Sequence, residues 1–245
     1  MTDALDDRRT AIDAAIEGQL ESPVETFERA IPTPSRLRGQ LFLSVYEALR
    51  PNATINGLVP TAVALELSTL HLHVHDGIDD ETDDLGGEIL RGDYLQARAF
   101  EALGRSSAPP QVVTRCHAVL ADACVEAYGR SYRGGPRREP LVAAATMLAG
   151  VLADVDRPLQ RRLTDCGERL EASLSAGLEE RTVTGATPAA SGTSGGSRSA
   201  GGDLPSPLRA AIDDLVACTS DEWDCTTDQR LTTIVSHALD HGRSP

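Results

Sequence analysis

Small and apolar residues recur at three- and four-residue spacing along most of this chain, the signature of amphipathic helices. Leu5, Ile12, Ile16 and Leu20 mark a first helix over 4–20, closed by Ser22-Pro23. Leu41, Val45 and Leu49 mark a second over 38–49. After Pro60, TAVALELSTLHLHVH predicts a longer helix, largely apolar and so suited to a buried position. Further helical patterns fall at 95–105, 110–128, 138–154 and 157–180. No run of alternating Val, Ile and aromatic residues stands between turn signals, and aromatics make up only 3% of the chain, which removes the usual basis for a sheet. The expected fold class is all-α, with one helical domain over 1–181.

Residues 182–207, TVTGATPAASGTSGGSRSAGGDLPSP, carry almost no apolar bulk. Burial cannot offset the entropy of ordering such a segment, so it reads as a flexible linker. Residues 208–245 hold two more helical stretches, one with Thr219 or Ser220 placed to cap it and Asp221 and Glu222 in its first turn. This tail reads as a short helical appendage that docks back on the domain or binds a partner.

The formal charge of −14, with no lysine and 23 dispersed arginines, argues against a nucleic-acid partner. An acidic, lysine-free chain with two asparagines suits a halophilic, high-salt cytoplasm, although a high-GC coding bias removes lysine equally well. The N-terminus lacks the basic-then-apolar order of a signal peptide, and no apolar run approaches the roughly 18–20 residues of a membrane span. A cytoplasmic protein without a membrane span is expected. Cys116, Cys124, Cys166, Cys218 and Cys225 form no CxxC pair, which speaks against a zinc ribbon or a disulfide framework and for reduced thiols packed against helices.

Chemistry concentrates in HLHVHDGIDDETDD, residues 71–84. On a continuous helix over 61–84, His71, His75 and Asp79 share one face, while Asp76, Asp80 and Asp83 or Asp84 share its neighbour. The oxygen face suits Mg²⁺ and a phosphate or diphosphate; the nitrogen face suits a transition metal. A solvated acidic helix end explains the carboxylates equally well. A strand would instead align the HxHxH imidazoles as zinc hydrolases do, but the flanking pattern is helical.

Three segments resemble the polyprenyl synthetases, the trans-isoprenyl diphosphate synthases. SRLRGQLFLSVYEAL is similar to the family's GKRLRPxLxLLxxEAL, and AVALELSTLHLHVHDGIDDETDDL to its AxALELIHTxSLIHDDIxDxDxLRRG with one extra residue. ILRGDYLQARAFEAL matches AILxGDYLLxxAFxxL, and order and spacing agree over about residues 30–180. The resemblance implies an isoprenoid-synthase-like helical bundle around a central cavity, where two aspartate-rich motifs hold Mg²⁺ on an allylic diphosphate that isopentenyl diphosphate attacks.

Departures from the family pattern are as informative as the matches. The first aspartate motif reads Asp76-Gly77-Ile78-Asp79-Asp80, with glycine at the middle ligand. Gly86-Gly87-Glu88 align with the family's RRG, whose arginines clamp diphosphate, and Pro34-Ser35 and Thr69 align with its GK and its histidine. Only Glu179 or Glu180 could stand in for the second motif. Each missing contact is charge-assisted and worth roughly 1.5–3 kcal/mol. The implied function is therefore a catalytically impaired accessory or regulatory subunit, a pseudoenzyme in isoprenoid biosynthesis that forms a homo- or hetero-dimer with a prenyl diphosphate synthase. One alternative is an active short-chain prenyltransferase with Arg36 and Arg38 on isoprenyl diphosphate and Asp76, Asp80, Asp83 and Asp84 on Mg²⁺. The other is a repurposed transition-metal protein using His71, His75 and Asp79.

Overall fold

The computed structural model describes residues 2–20, 36–78, 82–132, 141–183, 204–219 and 225–241. Among these residues all regular structure is helical, as the apolar spacing predicts. In chain order the helices are α1 (Thr2–Leu20), α2 (Leu37–Leu49), α3 (Val59–Asp76), α4 (Leu85–Gly104), α5 (Pro110–Tyr132), α6 (Val142–Leu152), α7 (Arg157–Val183), α8 (Ser206–Thr219) and α9 (Cys225–His241), with a 3-10 turn at Asn56–Leu58 before α3. None of the described helices is long and apolar enough to cross a membrane.

Three helices form the centre. Every residue of α3 from Thr61 to Leu72 is buried, as are Leu37–Val45 of α2, and α6 is apolar almost throughout. Helices apolar on all sides belong inside, and α1, α4, α5 and α7 cover them. Pro60 sits in the first turn of α3, where its missing N–H leaves no hydrogen bond unmade. With few aromatics, the core is built of leucine and alanine, and small residues allow close approach. A Cβ at Gly167 of α7 would lie 2.7 Å from the Ala143 Cα of α6, so only glycine fits there.

The helix assumed over 61–84 is two elements. α3 stops at Asp76, where the Gly77 N–H donates to the His73 carbonyl at 3.1 Å. α4 then starts ten residues before the expected 95, because the Asp84 carboxylate accepts from the Gly87 N–H at 3.0 Å and Glu88 lies in the positive first turn. This cap, worth about 1 kcal/mol, offsets part of the cost of Gly86 and Gly87, roughly 1 kcal/mol each.

The C-terminal helices share the main core. Leu208, Ile212, Leu215 and Val216 of α8 and Leu231, Ile234, Val235 and Leu239 of α9 belong to the same apolar cluster as α2 and α7. Glu47 at the end of α2 receives guanidinium groups from Arg8 of α1 and Arg230 of α9, tying three helices together. The expected linker falls largely on 184–203, outside the described residues, while α7 runs to Val183. Thr219 ends α8 with its hydroxyl donating to the Val216 carbonyl at 3.0 Å instead of capping the next helix, which begins at Cys225. Residues 220–224 lie outside the described set.

Leu215 is fully buried. Leu215→Ala is expected to cost about 2–5 kcal/mol of the whole chain's stability in denaturant unfolding. An unchanged main transition, with loss confined to a separate tail transition, would contradict this shared core.

Candidate active site

The N-terminus of α2 carries the two candidate diphosphate arginines. Arg36 precedes the helix in a left-handed conformation, φ 52° and ψ 35°, which turns its side chain under α1. Its guanidinium is 6% exposed and donates to Asp13 of α1; Nη1 is buried with no hydrogen-bond partner among the described residues. Arg38 is 3% exposed. Burial lowers its pKa, and the carboxylates of Glu66 on α3 and Glu171 on α7 act in the opposite direction. Glu66 Oε1 also accepts the Gly39 N–H at 2.7 Å, which fastens the first turn of α2 to α3.

Glu171, itself 5% exposed, accepts from Arg130 Nη1 of α5 at 2.6 Å, and Arg130 also donates to Glu126. Two arginines and two carboxylates from four helices thus meet in the interior with their charges balanced by one another. His73, on the last turns of α3, reaches solvent yet is ringed by protein. Desolvation, followed by the nearby charge of Arg38, lowers its pKa to about 4. It lies within electrostatic reach of Arg38 and of Asp76, which is exposed at the helix end.

His71 points elsewhere. A carbonyl only accepts, so the 2.8 Å contact with the Gly92 oxygen puts the proton on Nδ1, and Nε2 accepts from the Tyr128 hydroxyl at 2.6 Å. Both ring nitrogens are engaged, and burial lowers the pKa. His75 packs edge-on against His71 and Tyr128, with ring centroids 4.7 Å and 5.7 Å away, and its Nε2 lies 3.8 Å from Asp93 Oδ1. A Cβ at Gly92 would fall 2.2 Å from that nitrogen. This cluster clamps α3 to α4 and α5.

No family model matches the chain. Over 145 residues it is 30% identical to a geranylgeranyl diphosphate synthase of Methanosarcina mazei, covering 51% of this chain and 44% of that protein. Over 103 residues it is 36% identical to a geranylgeranyl pyrophosphate synthase of Geoglobus acetivorans, covering 37% and 32%. The chain therefore spans less than half the length of either relative in these matches. A solved geranylgeranyl pyrophosphate synthetase from Geoglobus acetivorans superposes over 98% of both chains with a TM-score of 0.75 and 19% identity. The chain is similar in sequence to geranylgeranyl diphosphate synthases and shares the fold of a solved one. A deletion mutant of the heterotetrameric geranyl pyrophosphate synthase of mint also shares the fold, with a TM-score of 0.59 and 14% identity over 93% of this chain and 98% of that one.

The polyprenyl synthetase pattern can be traced onto these helices position by position. Thr69 is buried and its hydroxyl donates to the Leu65 carbonyl at 2.9 Å. Gly86, Gly87 and Glu88 form the first turn of α4, with Glu88 Oε2 at 3.5 Å from Arg91. Asp83 is exposed in the preceding turn, and Asp84 uses its carboxylate as a cap. Asp79 and Asp80 lie outside the described residues, as do Pro34 and Ser35 and the side chains of Glu179 and Glu180. Among the described residues no three His, Cys, Asp or Glu side chains converge as a metal-binding group, and the candidate ligands Asp79 and Asp80 lie outside that set. The residues that dominate the interior, Glu66, Arg130 and Glu171, escaped sequence reasoning. Glu66 alone left a trace there, as the one carboxylate within the buried stretch Thr61–Leu72 of α3.

Arg130→Met would remove the cation hydrogen-bonded to the buried Glu171 carboxylate, leaving Arg38 as the other positive charge near it. A loss of about 2–3 kcal/mol in unfolding free energy is expected, below the value for a fully buried pair because Arg130 is partly exposed. Unchanged stability would show that the pair is not held in solution.

Proposed function

We propose that this chain is a catalytically impaired prenyl-diphosphate-synthase homologue that acts in isoprenoid biosynthesis as an accessory or regulatory subunit of a catalytic synthase in the cytoplasm. The observation that carries the reading is the state of the interior cations. Arg36 is bonded to Asp13, Arg38 lies buried near Glu66 and Glu171, and Arg130 is bonded to Glu171. A diphosphate arriving there would have to displace protein carboxylates that already neutralise the guanidinium groups, and its own binding would be weakened by that exchange. Loss of the middle aspartate at Gly77 and the glycines at 86 and 87 supports the same conclusion.

The partner role draws support from relatives. Among the structural neighbours is a heterotetrameric geranyl pyrophosphate synthase, an assembly of the kind such a subunit would enter. The second reading, an active short-chain prenyltransferase, draws support from the similarity to geranylgeranyl diphosphate synthases and from the exposed Asp76 beside His73.

Purified chain given Mg²⁺, isopentenyl diphosphate and an allylic diphosphate is expected to release no prenyl product, even at high protein concentration. Added to a catalytic synthase from the same cells, it is expected to shift that enzyme's rate or product lengths. Product formed by the chain alone would favour the active prenyltransferase instead.

A further inference from the structure

Away from the central charges, α7 and α8 meet through a pair of thiols. Cys166 Sγ of α7 lies 3.3 Å from Cys218 Sγ of α8, across 52 positions of sequence. Cys166 is buried and Cys218 half-buried, and both are reduced. Arg169, one turn beyond Cys166, donates to Cys166 Sγ at 3.2 Å and reaches Asp214 Oδ2 of α8 at 3.2 Å. The two helices are thus already held at this level by an ion pair, with a cation beside one sulfur.

We propose that Cys166 and Cys218 form a reversible disulfide that fastens the C-terminal helix pair to α7. The sulfurs need approach by only ~1.2 Å to reach the disulfide length of about 2.05 Å, a change within reach of side-chain rotation and a small helix shift. The oxidant is a low-molecular-weight disulfide. The Cys218 thiolate attacks one of its sulfurs, breaking that S–S bond, forming a mixed disulfide and releasing one small thiolate. The Cys166 thiolate then attacks Cys218 Sγ and expels the second. Two protein thiols are oxidised, one small disulfide is reduced to two thiols, and the two cysteine protons end on those thiols.

Exposure sets the order of attack. Cys218 is reachable from solvent, whereas burial, then the hydrogen bond and charge of Cys218, push the Cys166 thiol up to about 12. Once Cys218 is in the mixed disulfide those two influences disappear; burial and Asp214 still raise the Cys166 thiol, and Arg169 beside it favours the thiolate. Cys116 and Cys124 are both buried, so neither meets the oxidant before the half-buried Cys218. The new bond would close a long loop containing the Gly/Ser-rich segment, which restricts the unfolded chain and stabilises the docked helices.

The test treats the full chain with oxidised glutathione and maps peptides without reduction. One cross-linked pair joining Cys166 to Cys218, lighter by two hydrogens and opened by reductant, is expected. The oxidised protein should unfold several degrees higher than the reduced form, and Cys218→Ser, folded and otherwise unchanged, should lose that difference. A persistent glutathione adduct on Cys218, a link from Cys218 to Cys225 or between chains, or a Cys166–Cys218 link with no rise in the unfolding midpoint would each overturn the proposal.

Discussion

Burial of Arg38 constrains the interior more than any other single feature. A guanidinium withdrawn from water in the middle of a helical protein requires carboxylates close by, and Glu66 and Glu171 supply them from α3 and α7. Glu66 does double duty, because its other contact, with the Gly39 N–H, fixes where α2 begins relative to α3. Glu171 in turn holds Arg130 at the end of α5. Four helices are thereby set around one set of balanced charges, and the charge of Arg38 also acts on His73.

On the proposed reading, that balance separates the fold of a prenyl diphosphate synthase from its chemistry. Prenyl transfer by metal-assisted ionisation needs a cavity whose unmet positive charge and carboxylate-bound cations wait for diphosphate. Here the described cations and carboxylates meet each other. The helical framework survives such exchange because it depends on apolar faces: α3 is buried from Thr61 to Leu72 whatever its C-terminal end binds.

Legibility in the sequence followed the range of each interaction. α3 could be read directly because an apolar run after Pro60 has one good place to go, and α1, α2, α5 and α7 follow from local spacing. The start of α4 was hidden because Gly86 and Gly87 are poor helix formers, and the Asp84 side-chain cap on the Gly87 N–H shows only in three dimensions. The histidines have partners hidden for a related reason. Their spacing suggests ligands, but Gly92 and Tyr128, which occupy both nitrogens of His71, lie 21 and 57 positions away. Arg130 and Glu171, 41 positions apart, and the Cys166–Cys218 pair left no local pattern at all. The tail looked separable because a segment without apolar bulk precedes it, yet Ile212 and Ile234 complete the core.

The central claim is that protein carboxylates already occupy the interior cations that a diphosphate would need. Calorimetric titration of the full chain with inorganic diphosphate, in the presence of Mg²⁺, reads this directly. No saturable binding heat is expected at millimolar ligand. A stoichiometric, micromolar binding isotherm that disappears on Arg38→Met, in a variant still folded by circular dichroism, would contradict it.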